Sequence, residues 1–211
     1  WVQTCALPIS DKTPPPSLDE LEIDNDEEFI SFDVETNLYK ATVSNENGGA
    51  FTFYELNNYA LNDSELVNLI DKSNRQNLGV SFRSIDGDLI NLSTGWKTTN
   101  QYDISVFSSS KTVSFYKTIE NKRISKEITF YPDRYVVDIK TNLSEASDII
   151  SQNVASISWP KGLPLTEPNR KDELTYYSAV VYQGDESYYP KAKARGQERD
   201  RKSTRLNSSH W

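Results

Sequence analysis

The stretch that decides the fold is KTVSFYKTIENKRISKEITFYPDRYVVDIKT, residues 111–141. Apolar and polar side chains alternate along residues 111–119, so Val113, Phe115 and Ile119 share one face of an extended strand. The opposite face carries Thr112, Ser114, Tyr116 and Thr118. This period of two residues predicts a strand that is buried on one face.

Two turn signals divide the rest of this stretch. The first is ENKR at residues 120–123, and the second is YPDR at residues 131–134. In the second, Pro132 suits a type I turn, and the carboxylate of Asp133 is placed to accept a backbone hydrogen bond. The apolar positions on one face of the flanking strands are Ile124, Ile128 and Phe130, then Tyr135, Val137 and Ile139. Residues 111–141 therefore predict a three-stranded antiparallel meander.

Similar short runs on both sides of the meander predict further strands. Turn signals at Asn47-Gly48-Gly49 and Asp86-Gly87-Asp88 separate them. The predicted strands cover residues 29–34, 38–44, 50–54, 78–84, 89–92 and 174–182. Because strands dominate and helix is scarce, the predicted fold class is all-β, an antiparallel β-sandwich.

The run DSELVNLIDK, residues 63–72, fits two kinds of element. Ser64 could cap a helix that buries Leu66, Leu69 and Ile70. The same apolar residues also fit a buried strand. The pattern leaves both interpretations open.

The two ends of the chain share one nucleotide sequence. With the codons GTT CAG ACG TGT GCT CTT CCG ATC for residues 2–9, the reverse complement is GAT CGG AAG AGC ACA CGT CTG AAC, which encodes residues 200–207. No folding constraint produces such a relation. We therefore expect residues 1–10 and 200–211 to be artefacts translated from a sequencing adapter. The native part would then be a fragment.

Between these flanks the sequence predicts two regions. Residues 11–28 combine a proline run with seven acidic residues between positions 19 and 28, so they lack the apolar area that would offset the entropy of ordering. We predict a disordered Pro/acidic tether over residues 11–28. Residues 29–199 would form one β-sandwich domain, truncated at its C-terminal end.

The expected native part lacks the residues of several common sites. The chain's one cysteine, Cys5, and one histidine, His210, both lie in the flanks. Without them the native part cannot form a Ser-His-Asp triad, a Cys-His dyad or a thiolate zinc site. We therefore predict no catalytic, cofactor-binding or metal-binding residue and no cofactor.

Charge argues against one class of partner. Without the flanks the basic count falls from 23 to 20 and the acidic count from 31 to 30, so the net charge moves from −8 to −10. Nucleic-acid affinity depends on clustered Lys and Arg, so no nucleic-acid partner is expected.

Three groups of residues are candidates for binding or catalysis. Carboxylates near Trp159 could serve a glycosidase, exposed aromatic rings could stack on a sugar, and a small basic cluster could face anionic lipid. We interpret all three as structural or surface groups, which leaves binding residues unknown. The carboxylates are Glu167, Asp172 and Glu173, and the basic cluster is Lys191, Lys193 and Arg195.

Two stretches resemble a known family. TNLYKATVSNENGGAFTFYELNNY, residues 36–59, resembles the start of the large periplasmic domain of YidC-type membrane protein insertases, in which a strand leads into a Gly-Gly turn. SWPKGLPLTEPNRKDELTYYSA, residues 158–179, is similar to a Trp-x-x-Gly-Leu…Thr-Glu-x-Asn segment of the same domain in bacteroidete-like versions. The resemblance covers roughly residues 29–189.

The resemblance implies a fold, a location and partners. The fold would be a β-supersandwich similar to the galactose mutarotase superfamily. The domain would lie at the periplasmic face of the bacterial inner membrane, and its multi-pass parent would carry the spans outside this fragment. Its role would be that of a non-catalytic scaffold and docking surface. Its partners would be the Sec translocon and nascent membrane proteins.

Two alternatives remain at this point. One is a carbohydrate-binding or mutarotase-like β-sandwich, although mutarotase chemistry uses a histidine that the native part lacks. The other is a secreted structural or adhesin sandwich, whose gene would encode no downstream membrane spans.

Overall fold

The architecture comes from a computed structural model, which describes residues 2–3, 29–62, 65–70, 76–160, 162–167, 169–176, 180–183 and 186–188. The strands in these ranges are β1 (Val2–Gln3), β2 (Ser31–Thr36), β3 (Tyr39–Ser44), β4 (Ala50–Asn62), β5 (Glu65–Asn68), β6 (Gly79–Ser84), β7 (Leu89–Asn91), β8 (Lys97–Thr98), β9 (Ile104–Val106), β10 (Lys111–Ile119), β11 (Lys122–Phe130), β12 (Val137–Asn142), β13 (Ile150–Ser158), β14 (Val181–Gln183) and β15 (Glu186–Tyr188). The helical elements are α1 (Arg170–Tyr176) and the 3-10 turns Glu46–Gly48 and Ser144–Ala146.

Two five-stranded sheets form the body of the fold. The first has the strand order β1-β12-β11-β10-β8, and the second has the order β5-β4-β3-β2-β9. A three-stranded sheet, β13-β6-β7, and the hairpin β14-β15 accompany them. Most neighbours are antiparallel, while β1 on β12 and β9 on β2 are parallel. The all-β, sandwich-like prediction is confirmed.

The meander forms as predicted, with a tighter first turn. Strands β10 and β11 pair from Lys111 with Phe130 to Ile119 with Lys122, so the connection has only two residues. These are Glu120 and Asn121, with φ of 48° and 64°. Positive φ at both central residues defines a type I′ turn, whose twist matches that of the strands. Lys122 and Arg123, predicted as turn residues, therefore begin β11.

Aromatic side chains join the two large sheets. Phe32 of β2 stacks on Phe115 of β10, with ring centroids 6.3 Å apart and planes 15° apart. Phe51 of β4 meets the edge of Phe130 of β11 at 6.3 Å and 88°. Offset-stacked and edge-to-face pairs are the favoured aromatic geometries, so these contacts fix the spacing of the two layers as well as burying area.

The region 170–183 differs from the prediction. In place of a strand over residues 174–182, helix α1 runs through Tyr176 and β14 begins at Val181. The backbone N–H of Glu173 donates to the carbonyl of Asn169 at 3.1 Å, and Asp172 and Glu173 occupy the first turn. Acidic residues there complement the positive end of a helix. The helix-favouring residues at 169–173 therefore outweigh the strand-like alternation of the residues that follow them.

The other predictions vary in outcome. Residues 65–68 form strand β5, so a strand and not a helix is present there, but Leu66 is exposed and the strand is not the buried one predicted; Ser64 lies outside the described residues. Strand β4 continues to Asn62, well beyond the predicted residue 54. The predicted tether at residues 11–28 and the flank at residues 200–211 lie outside the described residues. In the other flank, Val2 and Gln3 pair with Val137 and Asp138.

Strand β13 carries a bulge. Its pairing with β6 shifts register between Ile150 and Ala155, where Gln152 and Asn153 have φ of 57° and 54°. Two successive left-handed residues bend the strand away from a regular ladder. In the described ranges, no helix is long and apolar enough to cross a membrane.

Candidate functional site: a buried lysine between two turns

The turn that follows β3 has an unusual backbone. Asn47, Gly48 and Gly49 all have positive φ, of 52°, 70° and 109°. Asparagine tolerates this region better than most side chains, and glycine enters it freely. Close packing also requires glycine at two of these positions. A Cβ on Gly48 would lie 2.8 Å from Trp96 Cδ2, and one on Gly49 would overlap Ile128 Cδ1. The predicted Gly-Gly turn is thus a close-packed turn against the core.

A second segment, residues 77–79, lies beside this turn. Leu78 is buried with φ of 56°, a conformation that costs a bulky residue energy. Asn77 is also buried, and its side chain pairs with the backbone of Phe51. The amide of Phe51 donates to Asn77 Oδ1 at 2.8 Å, and Asn77 Nδ2 donates to the Phe51 carbonyl at 2.7 Å. Asn77 therefore supplies the bonds that a neighbouring strand would supply.

Lys126 connects the two segments. It lies on the inward face of β11 between Ile124 and Ile128, and its side chain is fully buried. Its Nζ donates to the carbonyl oxygens of Asn47 and Leu78, at 2.6 Å each. Both acceptors thus belong to residues with left-handed backbone.

Trp96 closes the site on a third side. Lys126 Nζ lies 5.6 Å from its ring centroid, and its indole N–H donates to the Leu92 carbonyl at 2.6 Å. Asn45 Nδ2 donates to the Trp96 carbonyl at 3.0 Å, and the Asn47 amide donates to Ser93 O at 2.7 Å. The residues around 92–96 are therefore fastened to the Gly-Gly turn by both backbone and side-chain bonds.

Burial lowers the pKa of Lys126 to about 7. A buried ammonium is disfavoured because it loses its hydration, and here desolvation is the cause of the shift. A neutral amine has two N–H donors, which match the two carbonyl acceptors. The arrangement is suited to holding the backbone in place.

In the acidic cluster near Trp159, the carboxylates of Glu173 and Asp172 accept hydrogen bonds from neighbouring residues. The Glu173 carboxylate accepts hydrogen bonds from the amides of Thr166 and Glu167, at 2.8 and 3.0 Å. The bond from Thr166 is the main cause that lowers the pKa of Glu173. Because a general acid needs a raised pKa, Glu173 is poorly suited to that role. Asp172 Oδ2 accepts from Asn169 Nδ2 at 2.5 Å.

Aromatic side chains divide between core and surface. Tyr39 and Tyr54 stack in the core with centroids 4.4 Å apart, and burial raises the pKa of Tyr39 to about 12. Trp159 packs partly against the core, and its indole N–H donates to Gly162 O at 2.9 Å. Tyr59 and Tyr102 are exposed. The basic cluster of residues 191–195 lies outside the described residues.

Sequence reasoning missed Lys126. The strand pattern grouped Ile124 and Ile128 on the inward face but passed over the residue between them, which the period of two places on that same face. Lys117 repeats the pattern on β10, where its Nζ donates to the Thr94 carbonyl. A lysine flanked at i−2 and i+2 by large apolar residues was the available signal. In the described part of the chain, no group of three or more His, Cys, Asp or Glu could hold a metal.

The fold and the site together define an all-β, sandwich-like domain. In it, a buried lysine amine and buried asparagine amides hold the backbone of the turns in place. The family model described as the YidC periplasmic domain matches residues 31–211, and the chain belongs to that family. Neither the search of curated proteins nor the search of solved structures gave a significant match. The resemblance inferred from residues 36–59 and 158–179 is confirmed. The chain is thus a domain related to membrane protein insertases, and it belongs to the periplasm, near the membrane.

Proposed function

We propose that this chain is the non-catalytic scaffold and docking domain of a multi-pass inner-membrane insertase. It would act beside the Sec translocon, where it supports the insertion and folding of nascent membrane proteins. Family membership over residues 31–211 is the observation that carries this proposal. The Sec translocon and nascent chains are its proposed partners.

The chemistry of the site supports a structural role. The amine of Lys126 is committed to two backbone carbonyls, and the Glu173 carboxylate is committed to two backbone amides. A general acid or base must reach a substrate proton. Groups that are already bonded to the protein backbone support a domain that holds its shape and presents a surface.

The contiguous gene provides the first test. We expect it to encode one apolar span of about 20 residues upstream of residue 11 and several spans downstream of residue 199. We also expect the codons for residues 1–10 and 200–211 to be absent from it. A stop codon shortly after residue 199, with no span on either side, would contradict the proposal and favour a secreted sandwich.

Photo-crosslinking in the full-length parent provides the second test. A photoreactive side chain would be placed singly at the exposed large apolar positions, and crosslinked products would be identified by mass spectrometry. We expect translocon subunits or nascent chains to be captured at one or more of them, whereas a probe at the exposed polar residue Thr112 serves as a control. Capture of neither at any position would contradict the docking role. The positions are Phe29, Tyr59, Leu61, Leu66, Ile85, Tyr102, Phe107, Ile157 and Leu163.

A further inference from the structure

The buried amine of Lys126 joins two chain segments that are far apart in sequence. It accounts for one hydrogen bond to Asn47, 79 residues away, and one to Leu78, 48 residues away. We propose that Lys126 is a proton-operated latch. The neutral amine ties the turn at residues 45–49 to the segment at residues 77–79, and protonation loosens both segments around Trp96.

Donor counting supports the latch. A neutral amine has two N–H donors, and Nζ has two carbonyl acceptors in the described ranges. Protonation adds a third N–H and a full charge in a fully buried position. The Trp96 ring, at 5.6 Å, offers the charge only a partial replacement for water. The site therefore fits the neutral amine better than the ammonium.

Two ionisable residues lie on the elements packed around Lys126. The elements packed here carry Glu46 on the 3-10 turn and Lys117 on β10, and one carboxylate oxygen of Glu46 is buried. The lowered pKa of Lys126 has burial as its cause. With a pKa of about 7, the ammonium outnumbers the amine about ten to one at pH 6, and the ratio reverses at pH 8.

Backbone conformation explains why the response would be local. Asn47 and Leu78 hold positive φ, a region that non-glycine residues occupy only when their surroundings enforce it. The amine bonds to the carbonyl oxygen of each. When a charged Nζ draws water into the site, these two residues can relax toward negative φ. Meanwhile the meander keeps its own ladder of backbone hydrogen bonds.

Lysine titration tests the charge state directly. The 211-residue chain would be labelled with 13C at lysine Cε and titrated by NMR, and the signal lost in Lys126→Met would be assigned to Lys126. We expect this signal to titrate near pH 7 and the exposed lysines above about pH 9.5. Titration of every lysine above pH 9 would overturn the proposal. This readout uses the unmodified chain, so it stands even if the variant does not fold.

Hydrogen exchange tests the local opening. As the pH is lowered from about 9 to 7, after correction for the intrinsic exchange rate, we expect protection of the Asn47, Gly49 and Phe51 amides to fall by up to about tenfold per pH unit and then to level off, because the open state binds the proton of Lys126 between pH 10.5 and about 7. The amides of Val113 and Ile128 in the meander should keep theirs. An equal loss at all five amides would show global unfolding, and no loss at any would show a fixed site. Either result would overturn the latch.

Matched variants complete the test. Lys140→Met removes an exposed lysine from β12 and should keep the pH-dependent exchange, whereas Lys126→Met should abolish it. Persistence of the pH dependence in a folded Lys126→Met protein would overturn the proposal. These outcomes concern the domain alone, so they are distinguishable from failure of the proposed docking function.

Discussion

At the residue scale, a single inward-facing lysine decides how two turns are held. Lys126 is tolerated in the core because each of its two amine donors meets a carbonyl. Those carbonyls would otherwise be buried without this donor, and an unsatisfied buried polar group costs about 1–3 kcal/mol. Replacing Lys126 by an apolar side chain therefore relieves a desolvated amine but leaves two acceptors behind.

The pKa of Lys126 predicts how stability depends on pH. Its folded value, about 7, lies below the unfolded value of 10.5, so the unfolded chain binds more protons between these values. The free energy of unfolding should therefore rise by up to ~1.4 kcal/mol per pH unit from about pH 7. Urea denaturation at pH 7, 8 and 9 would measure this rise, and Lys126→Met should show a flatter profile than Lys140→Met.

Above about pH 10 the trend should reverse. Burial raises the pKa of Tyr39 to about 12 and also raises that of Tyr54. The folded chain then keeps phenolic protons that the unfolded chain loses, so stability falls as pH rises further. A free energy of unfolding that stays constant from pH 7 to 9 in the wild type would contradict the lowered pKa of Lys126.

Two glycines with similar positive φ allow the energetic cost of backbone strain to be measured separately from the cost of overpacking the core. Gly49 (φ 109°) faces Ile128 and Phe115, whereas Gly87 (φ 94°) has open space where a Cβ would lie. Gly87→Ala should cost about 1–2 kcal/mol for the left-handed conformation alone. Gly49→Ala should cost about 1–3 kcal/mol more, because the methyl group overpacks the core. Equal losses in thermal or chemical denaturation would show that the core yields around residue 49.

At the element scale, turn geometry fixes the register of the meander. Glu120 and Asn121 form a two-residue type I′ connection, so the two strands pair over nine residues each without a bulge. The preferred residue at the second position of this turn is glycine, because both φ values are positive. The native sequence therefore accepts some strain at this turn.

Relief of that strain is measurable. Asn121→Gly should raise the free energy of unfolding by about 0.5–1 kcal/mol, because glycine adopts the observed φ of 64° without a steric penalty. Thr118→Gly, in the neighbouring strand, should lower it by a similar amount. Denaturant midpoints of the two variants and the wild type give the comparison. A loss of stability in Asn121→Gly would argue against the I′ turn.

Alternation predicted most strands because it reflects burial directly, as in β10 and β11, whose inward positions are mostly apolar. It failed in two instructive places. Helix α1 begins with a bond to the backbone carbonyl of Asn169, and a local bond of this kind leaves no periodic signal. Lys126 was missed because residue type was taken as a guide to burial, whereas its position in the strand was the better guide. Neither its partner carbonyls nor the left-handed turns can be read from spacing.

At the scale of the whole molecule, family and fold agree. Two five-stranded sheets packed through aromatic pairs make an all-β domain, and the family match covers most of the chain. The resemblance found from two short stretches therefore extends over most of the chain. The carbohydrate-binding alternative predicts that the domain binds sugars. Heat released in a calorimetric titration with hexoses would support it.

The predicted origin of the flanks has a consequence for stability. Strand β1 contributes only two residues to the edge of β12. A chain restricted to residues 11–199 should therefore melt within a few degrees of the full chain, since the loss of so short a strand costs at most about 1 kcal/mol. Differential scanning calorimetry of both chains would compare them. A collapse of the shortened chain would show that residues 1–10 or 200–211 belong to the fold.

The bulge in β13 disfavours edge-to-edge pairing of the domain with other chains. In the three-stranded sheet β13 lies at one end, with β6 as its neighbour there. An outermost strand with regular spacing can recruit the same strand of another molecule and begin a fibril. The left-handed pair at Gln152 and Asn153 interrupts that spacing, so the rim of this sheet makes a poor template for self-association.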